Sequence, residues 1–251
     1  MHADHRIVSE HLVDQQYWDT SYAHMAPAMA ADDDPVRRWI EAHVPPARPD
    51  QHVLEIGCFP GRYLAAIARL GYAAHGIDLT PGVIGMGTAF KGMGLPTGTF
   101  TRADFLTHRP DRLFDVVCSF GFIEHFTNWE EVLLKHAALV APNGLIVLET
   151  PNFKGPVQGI FHRWLDAENL ARHNQDAMDP PRWAELLRME GFEILEVGWF
   201  GRFTFWSDSK PGGTSQRIGR VLLRWLTPLF ERMGQRSRTF SPYCGLVARK
   251  R

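Results

Sequence analysis

Short apolar runs and longer stretches of helical spacing alternate along most of this chain. Residues 53–56, 74–78, 114–119 and 145–149 read as strands, and the last is almost continuously apolar, as expected of a strand covered on both faces. Residues 99–103 alternate in the two-residue rhythm of a strand. Between these runs, 62–70, 83–92 and 129–140 have helical spacing. In the last of them Val132, Leu133, His136, Leu139 and Val140 share one side, and Pro142-Asn143-Gly144 ends the helix. Asp32-Asp33-Asp34-Pro35 joins an Asp cap to Pro at the first helical position, so a helix is predicted over 36–43, ending before Pro45-Pro46. Asp179-Pro180-Pro181 opens another over 182–189, closed by Gly191. Strands at 192–199 and 243–249 complete a set of seven. Alternating strands and helices predict an α/β fold, a doubly wound and mostly parallel sheet.

The punctuation divides the chain into a helical cap over 1–50, a core over 51–150, an inserted lid over 151–178, and a closing part over 179–251 with a helical insertion at 201–240. The lid is rich in aromatic, His and amide side chains. The late insertion contains an amphipathic helix with Ile218, Val221, Leu222, Trp225, Leu226, Leu229 and Phe230 on one face. Arg217, Arg220, Arg224 and Arg232 lie on the other. Such a helix packs on its own domain, packs on a twin subunit, or lies on a membrane surface, and the pattern leaves all three open.

Composition narrows the function classes. At 251 residues, one domain with embellishments is expected. A net charge of −1 gives no general electrostatic pull toward nucleic acid. The three cysteines form no CxxC pair, which fits a reduced, intracellular setting. No apolar run approaches the ~20 residues of a membrane span, and the first residues hold no apolar signal core. A cytoplasmic protein without a membrane span is expected.

The chemistry gathers around Val53-Leu54-Glu55-Ile56-Gly57-Cys58-Phe59-Pro60-Gly61-Arg62-Tyr63, a strand that passes through a glycine turn into a helix. The start of such a helix faces a crevice with unpaired N–H groups and a positive dipole end. A dinucleotide fingerprint would place Gly at 57, 59 and 62, and Phe59, Pro60 and Arg62 break it. No Gly-Lys-Ser/Thr follows either. A nicotinamide-dependent oxidoreductase is therefore disfavoured. What remains is Glu55-x-Gly57-x-x-x-Gly61, with Gly76-Ile77-Asp78-Leu79 closing the next apolar run. From about residue 53 to 153 the chain resembles the class I S-adenosylmethionine-dependent methyltransferases, in their small-molecule, ubiquinone-biosynthesis-like branch, so a Rossmann-like methyltransferase fold is expected. The family motif has a third glycine where Phe59 stands. That ring must find room, point away from the turn, or serve the core beneath it.

The resemblance implies S-adenosylmethionine as cofactor, S-adenosylhomocysteine as product, and a set of residues around them. Glu55, Gly57, Cys58, Phe59 and Gly61 form the turn. Asp78, with Leu79, lies about 20 residues on, the spacing at which a carboxylate can accept ribose hydroxyls. Asp104 and Phe105 would meet the adenine, Ser119 and Phe120 would open on the methyl group, and Tyr17 of the cap would cover the cofactor. Glu124-His125 resembles the Glu-His pair of the ubiquinone O-methyltransferases, where an upstream Glu completes a metal site. Gly121 occupies that position here, so no metal is expected. His125 is the candidate base, since its ordinary pKa lies near working pH; capping a helix or orienting the cofactor are the alternatives for the pair. Asn152, Phe153, His162 and His173 are the candidate acceptor-binding residues of the lid. The expected activity is methyl transfer to a small-molecule hydroxyl of natural-product, antibiotic or sugar-like character. An amine acceptor and a non-catalytic cofactor-binding relative are the alternatives. The fold allows a homo-oligomer. Ser119-Phe120-Gly121-Phe122 stands where a nucleic-acid methylase would carry Asn/Asp-Pro-Pro-Tyr/Phe.

Overall fold

Strands joined by helical crossovers must run parallel, with helices on both faces of the sheet. The computed structural model, which describes residues 11–208, 212–233 and 236–251, has this arrangement. Its strands are β1 (His52–Ile56), β2 (Ala73–Asp78), β3 (Thr97–Arg102), β4 (Phe114–Phe120), β5 (Val140–Pro151), β6 (Phe192–Phe200) and β7 (Tyr243–Lys250). They form one sheet of seven in the order β3-β2-β1-β4-β5-β7-β6. The first five are parallel, and β7 enters antiparallel between β5 and β6. β1, β4 and β5 are buried on both faces, whereas edge strand β6 exposes Glu193, Leu195 and Val197.

Local signals set the helix starts. In α2 (Pro35–His43), Asp34 accepts from the N–H groups of Val36 and Arg37 at 2.9 and 3.1 Å. In α8 (Pro180–Met189), Asp179 caps Arg182. Helix α3 (Arg62–Arg69) instead starts at Gly61 in the left-handed region. Residues 83–92 split into a 3-10 turn, Pro81–Gly85, and helix α4 (Met86–Gly92). Helix α5 (Trp129–Ala138) packs His136 and Leu133 inward. Residues 151–178 hold α6 (Pro156–Leu165), α7 (Ala167–Ala171) and a single turn at Gln175–Ala177. Trp183, fully buried, donates its indole N–H to Ala177 O at 2.7 Å and so ties α8 to that turn.

The late insertion forms α9 (Thr214–Met233). Its apolar side does not meet the protein as one face. Gly219 and Leu223 are buried, with Leu226 and Phe230 partly buried against Phe161, Leu165 and Phe203. A Cβ on Gly219 would come within 2.6 Å of Leu165 and 3.0 Å of Trp164. The two helices thus meet along the line through Gly219, and α6 is too narrow to cover the rest. Ile218, Val221, Leu222, Trp225 and Leu229 stay exposed.

The crossovers from β1 to β2 and from β4 to β5 run in opposite directions from the middle of the sheet. A crevice opens outside the carboxyl ends of β1 and β4 for that reason. N-terminal helix α1 (Gln15–Tyr22) lies over it, held where Leu12 N–H donates to His125 O at 3.0 Å.

Candidate active site

The crevice is a cavity of about 680 Å³, and the glycine turn forms its floor. Gly57 and Gly61 both have positive φ, at 70° and 83°. A Cβ at either would lie 2.5 Å from a neighbour, the Phe122 ring for Gly57 and Met86 for Gly61, so the close fit as well as the dihedral requires glycine. The turn spends its donors internally. Gly57 and Cys58 N–H both reach Ile77 O, and Phe59 N–H donates to Asp78 Oδ2 at 2.9 Å. The Phe59 ring lies against Gly82, where a Cβ would approach it to 2.4 Å, with Tyr22 6.0 Å away. Glycine at 82 therefore makes the room that the missing glycine at 59 would have left. Phe59 belongs at once to the core and to the cavity wall.

Two carboxyl groups face this floor. Glu55, on β1, accepts from the N–H of Leu64 at the start of α3, while its Oε2 is buried without a partner. Burial, then the charge of Asp78, raises its pKa well above the usual carboxylate range. Asp78 ends β2. Its Oδ1 accepts from both the N–H and the hydroxyl of Thr80 at 2.7 Å, a turn closed over two residues. Burial raises the Asp78 pKa, and the bonds from Phe59 and Thr80 oppose that shift. Leu79 also lines the cavity. Farther along the wall, Asp104 accepts from Leu106 N–H at 2.8 Å, and buried Phe105 packs edge-on to Phe122 and His136.

At the end of β4, Phe120, Gly121, Phe122 and His125 line the cavity, whereas Ser119 is buried in the sheet behind them. His125 bonds through Nδ1 to Arg172 O at 2.9 Å, and its ring lies 4.9 Å from Trp18 and 4.6 Å from His173. A carbonyl partner makes Nδ1 the donor, so Nε2 keeps its lone pair. His173 is held in the same way, Nδ1 to Asn169 O at 2.7 Å. Glu124 is fully buried, and neither carboxyl oxygen has a hydrogen-bonding partner. Burial raises its pKa to about 8, and burial followed by the neighbouring His173 lowers that of His125 to about 3. The donor atoms of Glu124, His125 and His173 lie within 4.8 Å of one another, a set able to hold a divalent ion. Gly121 offers no donor, and the third comes instead from His173, just after α7.

The rest of the cap and lid surrounds this cluster. Trp18 and Tyr22, one turn apart on α1, line the cavity; Tyr17 does not, and instead meets Asp208 through its hydroxyl and Arg172 across its ring. The i, i+4 spacing behind the Asp14 cap was the signal for Trp18 and Tyr22. Asn152 is an internal clamp, donating to Arg238 O and Ser241 O at 2.8 Å. Phe153 is buried against His162, at 4.0 Å, and His173, at 4.9 Å. His162 is fully buried beside Asp166 and Phe205. Of the four lid residues singled out from sequence, His173 alone joins the cluster at His125. Nothing local in the sequence pairs Glu124 with His173.

Comparison with known proteins follows the same lines. The family model described as a methyltransferase domain matches residues 26–197. A ubiquinone biosynthesis O-methyltransferase of Burkholderia thailandensis is 27% identical over 175 residues, covering 66% of this chain and 74% of the relative. An S-adenosylmethionine-dependent methyltransferase of Archaeoglobus fulgidus superposes with a TM-score of 0.56 at 20% identity, covering 86% of this chain and 93% of that one. Magnesium protoporphyrin IX methyltransferase of Synechocystis PCC 6803, solved with S-adenosylhomocysteine, superposes with a TM-score of 0.50 at 14% identity, covering 86% and 80%.

Proposed function

This chain belongs to the methyltransferase-domain family and is an S-adenosylmethionine-dependent methyltransferase with a small-molecule acceptor; from that premise we propose that it methylates a hydroxyl of a natural-product-like or sugar-like metabolite. S-adenosylmethionine, when bound, supplies a methyl carbon already activated by the positive sulfonium. The cavity residues suit it. The unpartnered Glu55 Oε2 is matched to a cationic ammonium, and Asp78 has an acceptor site left for a ribose hydroxyl. Leu79 and Phe105 offer apolar surface for the adenine, with Asp104 at its edge.

The observation that carries the acceptor reading is His125. Its Nδ1–H is fixed on Arg172 O, which leaves Nε2 as an acceptor, and the residue lines the cavity beside Trp18. Held down to about 3, its pKa keeps the ring neutral throughout the working range. In the transfer the acceptor oxygen bonds to the methyl carbon as the carbon–sulfur bond breaks, the electron pair returns to sulfur, and the hydroxyl proton passes to His125 Nε2. A base of such low pKa contributes modestly, so most of the rate comes from holding the two reactants in line under α1. A divalent ion, if bound, would sit on Glu124, His125 and His173 and would acidify the acceptor hydroxyl; the reading adopted here requires none.

An oxygen acceptor agrees with the Burkholderia relatives, whose names give O-methylation in ubiquinone biosynthesis. An amine is the second reading, because the unpartnered oxygens of Glu124 can accept from an amine N–H. A cytoplasmic site of action is part of the proposal, in keeping with three free, buried cysteines. Screening phenolic, sugar and amine acceptors for release of S-adenosylhomocysteine tests it. Turnover confined to amines would remove the hydroxyl reading while leaving the family assignment intact.

A further inference from the structure

Among the described residues, an unpartnered apolar stripe lies away from the active site. Helix α9 divides into three sides. One packs on α6 through Gly219, Leu223, Leu226 and Phe230. The second repeats at helical spacing through Ile218, Val221, Leu222, Trp225, Leu229 and Met233, each 45 to 80% exposed, with Trp225 the most open. The third is basic. The helix contains four arginines, at 217, 220, 224 and 232, against one acid, Glu231. In a chain of net charge −1, this concentrates positive charge on one element.

We propose that α9 seats this protein on an anionic lipid surface, lying in the plane of the interface with Trp225 at the centre of the contact. A contiguous apolar stripe of this kind is rarely left to water in a monomer. Flanking arginines can run their stems along the acyl boundary and keep their heads at the phosphates. Tryptophan is favoured at that depth because its ring is apolar and its N–H polar. No helix among the described residues is long and apolar enough to cross a membrane, so the contact is a surface one. Charge decides between a bilayer and a second copy of the chain. A two-fold contact would set this arginine-rich helix against itself, whereas anionic headgroups complement it.

The placement has a consequence for the active site. Arg220 is bonded to Ser207 at 2.9 Å, and the next residue, Asp208, is bonded to Arg172 at 2.9 Å and meets the Tyr17 hydroxyl. Two consecutive residues thus connect the seated helix to α1 and to the carbonyl that orients His125.

The test is sedimentation of the full chain with vesicles of phosphatidylcholine alone and of phosphatidylcholine mixed with phosphatidylglycerol, at low and high salt. The expected result is at least about tenfold stronger partition onto the mixed vesicles at low salt, declining as salt rises. The double variant Leu222→Ser, Trp225→Ser should lose binding with an unchanged melting temperature and unchanged response to S-adenosylhomocysteine, since both positions are exposed. The double variant Arg217→Gln, Arg224→Gln should lose the preference for anionic lipid. Absence of binding to either vesicle, or equal binding to both at every salt concentration, overturns the proposal. So does a dimer in light scattering that Trp225→Ser abolishes, since a second copy would then cover the stripe. Vesicle binding is read without turnover, so its failure and a failure of the acceptor reading are separate results.

Discussion

Replacing Asp78 with Asn should uncouple cofactor binding from the fold, and the size of the effect follows from the bonds at that side chain. A carboxylate offers about four acceptor sites. Three are occupied, by Phe59 N–H on Oδ2 and by the N–H and hydroxyl of Thr80 on Oδ1, which leaves one. A ribose diol can take that site and gain a second when the Thr80 hydroxyl turns away. Asparagine keeps only one oxygen. With Thr80 on that oxygen, its NH2 faces the Phe59 N–H, donor against donor. Two charge-assisted bonds to the ribose, worth about 1.5–3 kcal/mol each, shrink to at most one neutral bond of about 1 kcal/mol. The net loss is about 3 kcal/mol, roughly a hundredfold in Kd for S-adenosylhomocysteine. At a ligand concentration about 100 times the wild-type Kd, binding stabilises wild type by about 2.7 kcal/mol, and in the variant the same concentration supplies about 0.4 kcal/mol. In a chain of this size those energies correspond to melting shifts of about 5–10 °C and about 1 °C. Thermal-shift titration, with calorimetry for Kd, reads both. Thr80→Val is the control: it removes only the competing hydroxyl and should leave the shift intact or enlarge it. A variant Asp78→Asn that kept the full wild-type shift would refute the reasoning, because the ribose would then bond elsewhere.

Four further outcomes are expected. His125→Asn should lower kcat by about a hundredfold with little change in KM, at the low end for general-base catalysis because the pKa of the ring is already depressed; a KM effect alone would make the residue a binding group. Treatment with EDTA should leave activity in place, and loss of activity restored by a divalent ion would convert Glu124, His125 and His173 from base and neighbours into metal ligands. Buried His136, whose pKa burial lowers to about 4, stays neutral in the fold while the unfolded chain takes up a proton below about pH 6.5. Its share of stability is therefore full above pH 6.5 and is lost as pH falls toward 4, about 3 kcal/mol in all at 1.36 kcal/mol per unit; His136→Leu should flatten part of the decline in urea midpoint over that window, and parallel curves would count against it. Gly57→Ala should destabilise the fold and weaken S-adenosylhomocysteine binding, since its methyl group would meet the Phe122 ring at 2.5 Å from a positive-φ backbone. Equal melting temperature and affinity in that variant would mean Phe122 moves freely.

What the amino-acid sequence determined by itself was the local and the periodic. Asp34 before Pro35 and Asp179 before Pro180 mark helix starts because a side-chain oxygen satisfies N–H groups two or three residues away. Buried runs separated by helical spacing force a parallel sheet, and a parallel sheet of this order opens a crevice at its middle. The turn at 57–61 and the carboxylate at 78 were legible for the same reason: each is read within one βα unit. Phe59 was not, because the glycine that accommodates its ring is Gly82, in another unit. The partners of His125 likewise arrive from afar, Trp18 from α1 and Arg172 and His173 from the segment after α7, and the spacing of His162 and His173 gave no hint that both would pack on Phe153. Helix α9 illustrates the same limit from outside the site. Its amphipathic pattern was plain, but which part of the apolar arc would be covered depended on how closely Gly219 lets α6 approach. Tertiary packing alone decided these points, because they depend on distances between elements, and no periodicity within one element encodes how two elements meet.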